Sequence, residues 1–150
     1  MDRILSGVFP DSANNNYEGS QMVILIFGAL NIISVFRSLI HILKEDGGAQ
    51  SIATIPLDRY TKPAADTIVF LFAYWGLSQL LMALMYMVIL WKYRCLLPLA
   101  CLLFTIEYGW RLYIPRFTKK QCPTDATAPG AKANILFPFL GALLFYLSLP

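Results

Sequence analysis

Long apolar runs separated by shorter polar segments dominate the pattern along the chain. Four runs are long enough, or nearly long enough, to cross a bilayer, which takes about 20 mostly apolar residues. They cover residues 21–43, 66–91, 95–114 and 134–149, and the last is the shortest. None alternates apolar and polar positions as a half-buried strand does. The pattern therefore predicts an all-α fold, a four-helix transmembrane bundle.

Helix-breaking residues mark the expected ends of these segments. Gly47 and Gly48 follow the first segment, where glycine can take the left-handed conformation that ends a helix. Pro115 is expected to stop the third segment, and Pro138 to lie in the first turn of the fourth. A second interpretation keeps three spans, with the fourth segment re-entrant or packed against a partner.

The first 20 residues differ from the rest of the chain. They contain Asp2, Asp11, Glu18 and a polar run at 12–16, which a signal peptide does not. We therefore expect residues 1–20 to be a polar or interfacial N-terminal segment. Its few apolar residues could form one or two helical turns at the membrane surface. Residues 21–150 are then a single four-helix transmembrane domain.

Composition supports a membrane location and excludes several classes of function. The chain is 57% hydrophobic and 14% charged, whereas soluble domains carry about 25% charged residues. Its net charge of +3 comes without a basic block, so no nucleic-acid partner is expected. Cys95, Cys101 and Cys122 have neither metal-ligand spacing nor a pairing pattern, which predicts free thiols. No metal and no cofactor is expected, and membrane lipids are the expected surroundings.

Lysine and arginine are distributed unevenly between the two predicted sides. Seven flank the two longer connections, against three on the side of the N-terminus and the short turn between the second and third segments. Cytoplasmic loops are usually the richer in these residues. The long loops, 44–65 and 115–133, are therefore predicted to be cytoplasmic, with both termini outside.

Polar side chains inside the apolar segments are the candidates for function, because a charge at the centre of a membrane costs about 2.5–3.5 kcal/mol on insertion scales. Six of them are expected to lie around one pocket, in the half of the bilayer nearest the long loops. These residues are Asn31, Arg37, His41, Gln79, Glu107 and Arg111. Glu107 lies four residues before Arg111, a spacing that favours an ion pair within the helix, and the alternative is a pair between Arg37 and Glu107 across the bundle.

This polar cluster allows several functions. The two arginines and one glutamate leave a surplus positive charge, so the first hypothesis is a pocket for a lipid-like, hydrophobic or anionic ligand, or an accessory subunit of a membrane complex. An enzyme acting on a lipid or quinone would use His41 or Glu107 as its acid or base. A proton-coupled transporter would use Glu107. The cluster could also be purely structural, and a homo-oligomer remains open.

The loop after the first segment is a candidate cover for the pocket. Gly47 and Gly48 give it backbone freedom close to His41. Residues 51–55 are apolar enough to enter the membrane interface as a short lid. The alternative is a simple connector with a helix cap.

The chain resembles the DoxX-like group of bacterial four-helix membrane proteins over about residues 21–115. The stretches that carry the resemblance are Ser38-Leu39-Ile40-His41, Asp46-Gly47-Gly48-Ala49, Trp75-Gly76-Leu77-Ser78-Gln79-Leu80 and Glu107-Tyr108. The resemblance implies a bacterial inner-membrane protein. It implies no particular activity.

Overall fold

The computed structural model describes residues 2–119 and 124–150, which form five α-helices and no strand. In chain order the helices are α1 (Asp2–Val8), α2 (Gln21–Leu43), α3 (Lys62–Lys92), α4 (Leu97–Tyr113) and α5 (Pro129–Ser148). Short 3₁₀ turns cover Leu57–Arg59 and Arg94–Leu96, and a π-helical turn covers Ile114–Thr118. The prediction of an all-α fold with four long helices is confirmed. Cys122 and Lys120 lie outside the described residues.

Three helical stretches of the described chain are long and apolar enough to cross a membrane. They are Gln21–Leu43, Lys62–Lys92 and Arg94–Thr118, and they indicate a membrane protein. At 1.5 Å per residue, the 31 residues of α3 extend over about 46 Å, which is more than the thickness of a hydrocarbon core. The apolar part of α5, Asn134–Ser148, is shorter.

Helix ends depart from the prediction at three places. α3 begins four residues early, because Pro63 is well placed in a first helical turn. Pro115 does not stop the third helix, since the chain continues through the π-helical turn Ile114–Thr118. Pro138 lies inside α5 and not in its first turn, because Pro129 starts that helix in a stretch predicted to be loop.

Small residues allow α2 and α3 to pack closely. A Cβ added to Gly76 would lie 2.6 Å from the Cβ of His41 and 3.0 Å from the carbonyl oxygen of Ser38. Further along the pair, the side-chain amide of Asn31 donates a 3.0 Å hydrogen bond to the carbonyl of Ala83. These contacts give α2 and α3 an antiparallel arrangement. Small residues at such interfaces are the usual means by which membrane helices approach one another.

A small residue also allows α4 and α5 to pack closely. A Cβ on Gly141 would lie 2.6 Å from the hydroxyl of Thr105 and 3.1 Å from its Cα. Phe137 lies one turn before Gly141 and packs against Tyr108, which lies one turn after Phe104. The ring centroids of Phe137 and Tyr108 are 4.8 Å apart. α4 and α5 therefore also run antiparallel.

Large side chains fill the space between the two helix pairs. Phe27 of α2 contacts Tyr86 of α3 at 5.2 Å and Phe104 of α4 at 5.9 Å, centroid to centroid, both edge to face. Leu144 of α5 is 1% exposed in the same cluster. Bulky residues hold the pairs further apart than glycine and alanine hold the helices within each pair. That difference leaves room for cavities between the pairs.

The N-terminal segment covers the end of the helices where α3 meets α4 and where α5 finishes. The backbone N–H of Ser20 donates to the carbonyl of Leu147 at 2.9 Å, and that of Asn14 donates to the sulfur of Cys95 at 3.1 Å. Val8 is buried, whereas Ile4 and Leu5 remain about half exposed. The opposite end of the molecule, where α2 ends and α3 begins, holds the candidate site.

Candidate functional site

Arg37 is the centre of the polar interior. Its Nη1 donates to the hydroxyl of Tyr108 at 3.1 Å, and its Nη2 donates to the side-chain oxygen of Gln79 at 3.0 Å. Both partners are neutral, and Arg37 has no ion pair with any described residue. Hydrogen bonds satisfy part of the guanidinium without cancelling its charge. An uncompensated charge in an apolar helix is costly, so it is a feature that calls for a function.

A small cavity of about 20 Å³ lies between Arg37 and the aromatic core. Asn31, Arg37, Gln79 and Glu107 line it, together with neighbours that include Phe27 and Phe104. Three buried atoms of its lining residues make no hydrogen bond within the described chain. They are Asn31 Oδ1, Arg37 Nε and Gln79 Nε2.

Arg111 of α4 has a different setting from Arg37. It forms an ion pair with Glu107, one turn earlier on the same helix. Its guanidinium carbon also lies 5.1 Å from the ring centroid of Trp75 and 4.8 Å from that of Tyr108. Both distances are within the range of cation–π attraction. The predicted Glu107–Arg111 pair is therefore present, and Trp75 of α3 joins it.

His41, in the last turn of α2, is buried against aromatic rings. Its Nδ1 lies 2.7 Å from the carbonyl oxygen of Gly47, which can only accept, so Nδ1 carries a proton. In the neutral ring Nε2 is then the unprotonated nitrogen. Trp75 and Phe72 flank the ring at 5.0 and 5.5 Å between centroids.

A much larger cavity, of about 740 Å³, lies at the end of the molecule that carries the two long connections. Its volume is within the range of small-molecule sites. Arg37, His41 and Arg111 all line it, and no aspartate or glutamate of the described chain does. Most other wall residues are apolar, including Ile40, Phe72 and Trp75. Arg37 is thus shared by the two cavities.

Two loop segments close over this larger cavity. Ile52, Ala53 and Ile55 line it from the first connection, and Thr124, Thr127 and Ala128 line it from the last, just before the start of α5. Thr54 joins the two segments, since its hydroxyl donates to the carbonyl of Ala126 at 2.6 Å and its own carbonyl accepts from the N–H of Asp125 at 2.9 Å. Thr54 has φ of 58°, a conformation that side-chain-bearing residues rarely adopt, so the contact holds it there.

Asp46 fixes the start of the first connection. Its carboxylate accepts from the N–H of Gly48 at 2.9 Å and from the N–H of Ser51 at 2.7 Å. Burial alone would raise the pKa of Asp46, but hydrogen bonds from Ser51 and Gly48 and the charge of Lys44 lower it to about 2. Gly47 and Gly48 both have positive φ, 57° and 74°, which only glycine adopts without strain.

The six residues predicted to share one pocket divide between two. Asn31, Gln79 and Glu107 line the small cavity, and His41 and Arg111 line the large one. Arg37 alone belongs to both. The pocket was expected in the half of the molecule toward the long connections, and the large cavity lies there. The prediction that residues 51–55 cover it is in line with the position of Ile52 and Ile55.

Sequence reasoning missed three residues of the site. Tyr108 and Trp75 carry no charge and resemble ordinary apolar-helix residues, although Trp75 stands in helical register with Gln79. Thr54 is a loop residue with no motif around it. Its role depends on contact with the segment at Asp125, which is 71 positions away.

No group of three or more histidine, cysteine, aspartate or glutamate residues in the described chain could hold a metal ion. Cys95 and Cys101 are free thiols, and Cys101 is buried. Comparisons with protein-family models, curated proteins and solved structures find no significant match to this chain. The resemblance to DoxX-like proteins stays a prediction.

Proposed function

We propose that this chain is a four-helix transmembrane bundle that binds an amphiphile with an anionic head group in the 740 Å³ cavity. The observation that carries the proposal is the lining of that cavity: two arginines and a histidine, with no described carboxylate among them. Glu107 offsets the charge of Arg111. Arg37 has no ion pair within the described chain, so an anion would gain a charge-assisted hydrogen bond there.

The rest of the lining supports an apolar tail on the ligand. Ile40, Phe72 and Trp75 form a wall that a hydrocarbon chain would contact, and Ile52 and Ile55 extend it from the loop. A small inorganic anion would leave this apolar surface unused. Burial of apolar surface contributes about 25 cal/mol per Å², so the tail supplies affinity while the head group supplies selectivity.

The location of the cavity supports a ligand drawn from the membrane. It lies at the end of α2 and the start of α5, where a lipid head group would meet the protein. In this proposal α5 crosses the membrane with the other three helices, the two long connections face the cytoplasm, and both termini lie outside. The excess of lysine and arginine in those connections supports this orientation.

Quenching of tryptophan fluorescence by a brominated chain tests the proposal. The chain has three tryptophans, so Trp91→Phe and Trp110→Phe together leave Trp75, which lines the cavity. The purified protein in neutral detergent at alkaline pH is titrated with brominated stearate, an anion, and with its uncharged methyl ester. We expect saturable quenching of Trp75 by the acid at concentrations where the ester has little effect.

A second single-tryptophan variant is the matched control. Trp75→Phe with Trp91→Phe leaves Trp110, which is 55% exposed and does not line the cavity. Trp110 should be quenched equally by the acid and the ester, as any residue facing detergent would be. Equal quenching of Trp75 by both probes would contradict the proposal.

An enzyme acting on a lipid is a second candidate, favoured by one observation. The hydrogen bond from His41 Nδ1 to the Gly47 carbonyl orients the ring and leaves Nε2 as a base beside the same cavity. For an ester, His41 would take a proton from water as the water attacks the carbonyl, and would return it to the alkoxide oxygen as the C–O bond breaks, which releases the acid and the alcohol. Methanol released from the methyl ester by the native chain, and not by a His41→Gln variant that still binds stearate, would favour this candidate.

A further inference from the structure

The small cavity beside Arg37 is lined by three residues that each carry a polar atom without a partner in the described chain, and it has too little space for an organic ligand. Asn31 and Gln79 are 4% and 8% exposed, so neither side chain reaches bulk solvent. Asn31 Oδ1, Arg37 Nε and Gln79 Nε2 lack hydrogen-bond partners in the described chain. A buried polar group without a partner destabilises a fold, so three such groups on residues that line one cavity are a substantial penalty.

The orientation of both amides is fixed by their other contacts. Asn31 donates through its NH₂ group to the carbonyl of Ala83, which can only accept. The side-chain oxygen of Asn31 is therefore the atom without a partner. Gln79 accepts from Arg37 Nη2 through its oxygen, so its NH₂ group is left over. The remaining atoms are therefore two donors, on Arg37 and Gln79, and one acceptor, on Asn31.

We infer that this cavity is a binding site for an ordered internal water that links Arg37 and Gln79 to Asn31. Water accepts hydrogen bonds through two lone pairs and donates two, so it can accept from Arg37 Nε–H and from Gln79 and donate to Asn31 Oδ1. The cavity of about 20 Å³ exceeds the 10–15 Å³ that one water needs. Buried waters typically make about three hydrogen bonds, which is the number offered here.

An anion fits the cavity less well than water does. It would accept from Arg37 Nε–H and from Gln79, but it has no proton to offer Asn31 Oδ1. Turning the Asn31 amide would not help, because its oxygen would then face the oxygen of Ala83. This site is independent of the proposed amphiphile, which occupies the other cavity and would meet the outer face of Arg37.

Nuclear magnetic resonance of the full chain, labelled with ¹⁵N-arginine in neutral detergent, tests this inference. The Nε–Hε signal of Arg37 is identified by its loss in Arg37→Lys. We expect it to show a cross-peak with a water whose residence exceeds the tumbling time of the protein. Arg94 is the matched control, since its Nε donates to the carbonyl of Leu90 at 2.9 Å and should show no such cross-peak.

A crystal structure from bromide-containing solution supplies the second measurement. We expect density for a water within hydrogen-bonding distance of Asn31 Oδ1, Arg37 Nε and Gln79 Nε2, without anomalous signal. An anomalous bromide peak there would overturn the inference in favour of an anion. An empty cavity, or an Arg37 Hε signal without the cross-peak, would overturn it as well. None of these results depends on whether stearate binds.

Discussion

Arg37 of α2 and Tyr108 of α4 are joined by a hydrogen bond of 3.1 Å that crosses the space between the two closely packed helix pairs. Within each pair, glycine brings the backbones together, as Gly76 does in α2–α3 and Gly141 in α4–α5. Between the pairs, long side chains make the contact. Arg37 therefore connects the two helix pairs and lines both cavities. Its substitution is the most direct way to change ligand binding.

Arg37→Gln should weaken the binding of brominated stearate by at least about tenfold. A hydrogen bond to a charged group contributes about 1.5–3 kcal/mol, and tenfold in affinity corresponds to about 1.4 kcal/mol. Binding is measured by quenching of Trp75 in the single-tryptophan background. Arg116→Gln is the control, because Arg116 is exposed and bonds the carbonyl of Leu112 away from the cavity. Equal affinity in the two variants would argue against Arg37 as the anion contact.

Gly76→Ala should destabilise the protein by about 1–3 kcal/mol, the usual effect of overpacking. The added Cβ would lie 2.6 Å from the Cβ of His41 and 3.0 Å from a backbone oxygen, so α2 and α3 must separate. Gly109→Ala is the control, since a Cβ there meets nothing within 4 Å and alanine favours a helix. Thermal melting in detergent is the measurement. A Gly76→Ala variant as stable as the Gly109→Ala variant would contradict the close packing.

Asp46→Asn should lower the melting temperature at neutral pH but not in strong acid. The folded-state pKa of Asp46 is about 2, below its ordinary value of 3.8. The carboxylate therefore stabilises the fold fully above about pH 4, and this contribution is lost as pH falls toward 2. The difference between the native chain and the variant should shrink over that window. Glu45→Gln, which removes an exposed charge nearby, is the control; a difference independent of pH would contradict the assignment.

Thr54→Val should speed the dissociation of the ligand about two- to tenfold. The change keeps the shape of the side chain but removes the hydroxyl that donates to Ala126 at 2.6 Å, a bond that contributes about 0.5–1.5 kcal/mol. Stopped-flow recovery of Trp75 fluorescence gives the rate. Thr67→Val is the control, because the Thr67 hydroxyl bonds only within α3, to the carbonyl of Pro63. Identical rates in both variants would show that the two loop segments do not cover the site.

The helices were largely predictable, because about 20 consecutive apolar residues have few alternatives to a helix. α2 matches its predicted bounds of 21–43. The start of α5 was missed, since residues 129–133 include proline, glycine and lysine and lack an apolar run, yet Pro129 suits a first helical turn. The sequence predicts that Pro115 stops the third helix, but the structure accommodates this proline in a wider, π-helical turn.

The residues of the site could be predicted from the sequence, but their arrangement in space could not. Intramembrane polar side chains are rare enough to be recognised singly, which is how Arg37 and Gln79 were found. Their division between two cavities depends on how each helix is rotated and how far its side chains extend. Asn31 and His41 lie on one face of α2, but ten residues separate them, about 15 Å along the axis. They therefore line different cavities, Asn31 the small one and His41 the large one.

A crystal structure with brominated stearate bound would show whether the amphiphile occupies the large cavity, because the anomalous signal of bromine locates the hydrocarbon chain. We expect a carboxylate within hydrogen-bonding distance of Arg37 or Arg111 and bromine atoms beside Phe72 and Ile52, inside the 740 Å³ cavity. Bromine found only on the outer surface, such as beside Trp110, with the cavity unoccupied by the ligand, would contradict it.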